Sequence, residues 1–88
     1  MNPKELYLAA IQKWGLSFQY VKLCEEIGEL LQAASKVLIG KWHKDRLAEE
    51  IADVEIMLEQ VKVAYNLESH VLDMKEQKLK RLERRLKK

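Results

Sequence analysis

These 88 residues hold little that breaks a helix or crosslinks a chain: one proline, three glycines and one cysteine. A lone Cys24 excludes an internal disulfide framework, and a reducing compartment is the expectation that follows. Lying between Leu23 and Glu25, its thiol is expected to serve as a small buried hydrophobe, not as a nucleophile. The two histidines, His43 and His70, sit in no Ser-His-Asp or Cys-His arrangement, and there is no Gly-rich phosphate loop. No uninterrupted apolar run approaches the roughly 18 residues that would span a membrane. The opening residues lack a signal-peptide pattern, so a cytoplasmic location is expected.

What remains is helix-forming material, 48% hydrophobic and 34% charged, with no alternating pattern that would make a strand. A single all-α domain over residues 1–88 is expected, an antiparallel helical bundle of about four helices. Asn2 and Pro3 should open a first helix that Gly15 closes. Ser17 is the expected cap of a second helix carrying Val21, Ile27, Leu31, Ala34 and Leu38 to Gly40. Asp45 is the expected cap of a third, through Leu47, Ile51, Val54, Leu58, Val61 and Tyr65 to about Asn66. A fourth runs from about Glu68 to the C-terminus, with Leu72, Leu79 and Leu86 in heptad register. A chain this short buries only roughly 60% of its extended surface, so completion of the bundle by oligomerisation is expected.

Charge is unevenly divided. Residues 75–88 hold eight basic residues and two acids, a net +6, whereas the rest holds eight basic and twelve acidic residues, a net −4. The basic segment reads as a solvated face, as an arm for nucleic acid or an acidic partner, or as a phosphate contact through Lys78 and Arg81, three apart on one face. Trp14 and Trp42 read as packing or lid residues ahead of base-stacking platforms.

The acids are patterned more sharply. Glu25-Glu26-Ile27-Gly28-Glu29-Leu30 recurs 24 residues on as Glu49-Glu50-Ile51-Ala52-Asp53-Val54. Each copy sets two carboxylates three residues apart, Glu26 with Glu29 and Glu50 with Asp53, which spans roughly 60° of a helix surface. The apolar residues beside them place each pair at the border of a buried stripe. Helices folding back at Gly40 bring residues equidistant from that turn to one level, and the two motifs are equidistant from it. Four carboxylates would then face one small volume, with Gly28 and Ala52 allowing a close helix approach. Acids so placed repel unless cations lie among them. Oxygen-only ligands favour Mg²⁺, with Mn²⁺ as the alternative. A di-iron bundle would need Glu-x-x-His motifs that are absent, and zinc or copper would call for histidine ligands.

At Glu25-Glu26-x-x-Glu29 and Glu50-x-x-Asp53, with Gln19 upstream and Lys78-x-x-Arg81 in the last helix, the chain resembles the MazG-like all-α nucleoside triphosphate pyrophosphohydrolases. The resemblance covers about residues 14–85. It implies that Glu26, Glu29, Glu50 and Asp53 ligate Mg²⁺ and that Glu25 supports that shell or orients the attacking water. Lys78 and Arg81 would match the family's phosphate-contacting residues. It further implies hydrolysis of a nucleoside triphosphate to the monophosphate and pyrophosphate by a homo-oligomer, a dimer or a tetramer. A membrane partner is not expected, and nucleic acid is the less expected ligand. The rival reading is a non-catalytic helical module for protein interaction or nucleic-acid binding.

Overall fold

A computed structural model describes residues 1–88 as four helices joined by short turns, with no strand. These are α1 (Pro3–Trp14), α2 (Leu16–Leu38), α3 (Lys44–Ala64) and α4 (Glu68–Leu86). No helix is long and apolar enough to cross a membrane. The all-α bundle read from the sequence is the fold observed.

The helix ends show why the boundaries fall where they do. At the start of α1, Asn2 Oδ1 accepts from the Glu5 backbone N–H at 2.9 Å, and Asn2 Nδ2 donates to Glu5 Oε1 at 3.1 Å. Two backbone bonds close α2: Gly40 N–H donates to Val37 O, and Lys41 N–H donates to Lys36 O. The residue between them must turn left-handed, and Gly40 does so at φ 76°. The end of α3 repeats the arrangement, with Asn66 (φ 54°) in the glycine's place and Leu67 N–H donating to Lys62 O. Asparagine is among the few side chains that tolerate this conformation.

Two caps differ from the sequence expectation. Ser17 does not cap α2: the helix starts at Leu16, Gly15 stands as its N-cap, and no side chain completes it. One residue of positive φ both ends α1 and begins α2, which leaves no position for a second capping residue. Asp45 does not cap α3 either. His43 does, its Nδ1 accepting from the Asp45 N–H at 3.2 Å. Asp45 instead lies in the first turn, where its negative charge suits the helix N-terminus.

The core lies along the α2/α3 hairpin, where Ala33, Val54, Met57 and Val63 are buried together with Gln19, Glu26 and Gln60. The helix α1 packs against α3 and, less extensively, α2, while α4 touches only α3. Ala33 is fully buried, so Ala33, rather than Gly28 or Ala52, is the small residue enclosed by the bundle. A methyl group on Gly28 would meet nothing within 4 Å, and Ala52 is exposed. Cys24 is also exposed, not buried. Its position on α2 points away from α3, toward a face that no other helix of the chain covers.

Candidate metal centre

Helical spacing and the turn at Gly40 build the centre. Glu26 and Glu29 stand one turn apart on α2, and Glu50 faces them from α3. One carboxylate oxygen from each of the three lies within 4.8 Å of the others. Glu26 is 6% exposed, Glu50 is half-buried and Glu29 is exposed, so the cluster runs from the helix interface out to solvent. Glu26 Oε2 and Glu50 Oε2 are both buried with no hydrogen-bond partner. A buried carboxylate oxygen left unpaired is costly. Two of them beside a third acid amount to a concentration of negative charge that the protein compensates only in part.

The electrostatics bear this out. Burial pushes the Glu50 carboxyl above its ordinary value of 4.5, and the charges of Glu29, Asp53 and Glu26 push it further the same way. The nearest cation is Lys22, whose Nζ lies 3.3 Å from Glu26 Oε1 and 3.7 Å from Glu25 Oε2. Hydrogen bonding to Glu26 and attraction to Glu26 and Glu25 raise the Lys22 ammonium above its usual range. A single positive charge therefore stands against a group of acids, engaging Glu26 through its other oxygen.

The sequence-predicted residues divide into four groups. Glu26, Glu29 and Glu50 converge. Asp53 is exposed and contributes no atom to that convergence, although its charge acts on Glu50. Glu25 points outward, more than half exposed, and pairs with Lys22. Lys78 and Arg81 do share one face: with Met74, Gln77, Lys80 and Arg84 they line a shallow surface depression made wholly of α4 residues. Since α4 makes no contact with α2, a single chain does not bring these cations against the Glu26 side of the cluster. Lys22 is the participant that sequence reasoning passed over. Its signal was available, because a lysine three and four residues before two glutamates on a helix meets both.

Trp42 lies under the Arg46 guanidinium, 4.3 Å from ring centroid to the cation, and Trp14 stacks obliquely on Phe18 at 6.5 Å with Lys13 over its ring. Both tryptophans lie near helix ends, Trp14 exposed and Trp42 half-buried. Comparison with family models, with curated proteins and with solved structures finds no match to this chain.

Proposed function

We propose that this protein is a Mg²⁺-dependent nucleoside triphosphate pyrophosphohydrolase, converting a (d)NTP and water to the (d)NMP and pyrophosphate as a homo-oligomer. The observation that carries the reading is the convergence of Glu26, Glu29 and Glu50, with two buried oxygens lacking any partner. Those donors are all carboxylate oxygens, the set that hard divalent cations prefer. Glu26, Glu29 and Glu50 would hold the ion, with Mn²⁺ as a substitute for Mg²⁺, and Asp53 flanks them on the same side of α3. A bound divalent ion neutralises phosphate charge and lowers the pKa of water.

The chain's own residues supply the rest. Water attacks the α-phosphorus, the bond from that phosphorus to the bridging oxygen breaks, and pyrophosphate leaves with the bonding electrons. Carboxylates fixed on two rigid helices hold the reacting groups in position, which is most of what phosphoryl transfer requires. Glu25, exposed one residue before Glu26 and paired with Lys22, would orient the attacking water or accept its proton. Lys78 and Arg81 offer two cationic side chains for the outgoing phosphates. In a homo-oligomer, phosphate contacts need not come from the subunit that holds the ion.

The projecting basic α4 favours one other reading, a non-catalytic module that binds nucleic acid or an acidic partner. Calorimetric titration with Mg²⁺ and with RNA or DNA separates the two. Stoichiometric Mg²⁺ binding, lost in Glu50→Gln, supports the enzyme. Salt-sensitive nucleic-acid binding without a Mg²⁺ response supports the module.

A further inference from the structure

On α1, Leu6, Ala10 and Trp14 recur every four residues and so share one face. The two bulky side chains flank a small one, and Ala10 is only half-buried. Across from them on α3, Ile56 and Gln60 stand one turn apart. An alanine methyl fills too little of the space between Leu6 and Trp14, and a groove of about 500 Å³ opens between the two helices, lined by all five of these residues. That volume lies in the range of small-molecule sites.

Gln60 is the unusual member of that lining. It is 7% exposed, its Nε2 makes one long contact of 3.8 Å to Met57 Sδ, and its Oε1 is buried with no hydrogen-bond partner. A thioether accepts but does not donate, so the amide turns its N–H₂ toward Met57 and leaves its carbonyl unanswered. A buried carbonyl without a donor costs stability. The other two unpartnered oxygens, on Glu26 and Glu50, belong to the carboxylate cluster. Gln60 does not: it is neutral and stands ten residues beyond Glu50 on α3, roughly 15 Å along the helix.

We infer that the α1/α3 groove is a small-molecule site, taking a flat apolar heterocycle with one N–H or O–H donor that packs against Leu6, Trp14 and Ile56 and donates to Gln60 Oε1. A purely apolar ligand would seal the carbonyl in without a partner. A charged ligand would meet a single ion, the Lys13 ammonium, which already lies over the Trp14 ring at 5.2 Å from its centroid. An aromatic ring suits the 54% exposed Trp14 beside it. The last torsion of a glutamine is broad, and the long contact to Met57 holds it weakly, so a small rotation of the amide brings Oε1 to a ligand. This site is separate from the carboxylate cluster and does not depend on the chemistry proposed there.

Indole is the probe, and benzofuran, of the same shape with an ether oxygen in place of the N–H, is its control. Titrations of isotope-labelled protein, followed by backbone amide shifts, should place indole at Ala9, Ala10 and Gln60, bound about tenfold more tightly than benzofuran. Gln60→Leu should bring the two probes to equal affinity, and Ala10→Phe, which fills the groove, should weaken both. Indole should bind equally in Mg²⁺ and in EDTA. Equal affinities in the unmutated protein, binding of neither probe, or shifts confined to other residues overturn the inference. So does a preference for indole that survives Gln60→Leu, or binding that requires Mg²⁺. If either variant fails to fold, the ratio of the two affinities in the unmutated protein decides alone. A protein that binds indole in this way but hydrolyses no nucleotide refutes the enzymatic reading and leaves the groove site standing.

Discussion

Replacing Glu50 by glutamine should reverse the order of stability between variant and wild type as magnesium is added. Without metal, the Glu50 carboxylate is held among Glu29, Asp53 and Glu26, with one oxygen buried and unpartnered. An isosteric neutral amide removes the like-charge repulsion, and its N–H₂ can donate to a neighbouring carboxylate. Glu50→Gln should therefore melt higher than wild type in EDTA. With metal the order reverses, because only wild type binds it tightly. For a dissociation constant on the order of 1 mM and about 10 mM Mg²⁺, linkage stabilises the folded state by about 1.4 kcal/mol. At about 2.1 cal/mol/K of unfolding entropy per residue, this raises the melting temperature of an 88-residue chain by about 8 °C. Differential scanning fluorimetry of both proteins, in EDTA and across a Mg²⁺ titration, reads both signs. A wild-type melting temperature indifferent to Mg²⁺, or a variant already less stable in EDTA, would refute the reasoning from repulsion to cation binding.

Acidity should compete with the metal. Since the folded-state value of Glu50 is raised, the folded chain holds more protons than the unfolded one between the ordinary value of 4.5 and that raised value. Metal-free stability should therefore fall as pH rises through this window, and Glu50→Gln should flatten that dependence in paired urea titrations. Mg²⁺ affinity should change the opposite way, weakening as pH falls, with protons released on binding that calorimetry in two buffers would count. Lys22→Met removes the ammonium beside Glu26 and should tighten Mg²⁺ binding on the order of tenfold; unchanged or weaker binding would mean that Lys22 positions the carboxylates instead. Met57→Ala should cost about 2–4 kcal/mol of stability in denaturant unfolding, because Met57 is 6% exposed between the helices. Joint replacement of Lys78 and Arg81 by alanine should lower kcat/KM for nucleotide while leaving Mg²⁺ affinity unchanged, and parallel losses in both would contradict their assignment to phosphate.

Much of this geometry was legible in the residues themselves. The four helices followed from spacing and breakers, and the convergence of Glu26, Glu29 and Glu50 followed from two motifs equidistant from Gly40. Helical periodicity is a local property, and a tight turn turns it into a long-range one. What escaped were features decided by competition among neighbours. Ser17 and Asp45 are good capping residues in isolation, but the positive φ of Gly15 and the ring nitrogen of His43 took those roles. Cys24 and Leu31 read as buried because the pattern marks a stripe as apolar without saying which chain covers it. The same holds for α4, whose leucines at 72, 79, 82 and 86 remain exposed. Asp53 matches Glu50 in spacing, yet its side chain stays outside the oxygen cluster. A repeat fixes the side of the helix a residue occupies, and the crossing of α3 over α2 decides how closely it approaches.

The proposed function has these carboxylates serve pyrophosphate-releasing hydrolysis of a nucleoside triphosphate. The most direct measurement is pyrophosphate release from a panel of NTPs and dNTPs, with Mg²⁺ and with EDTA, alongside Glu50→Gln of verified fold. The account predicts metal-dependent release of pyrophosphate and the nucleoside monophosphate, favouring one nucleotide and lost in the variant. Silence across the panel from a protein that also binds no Mg²⁺, or release undiminished by Glu50→Gln, would contradict it.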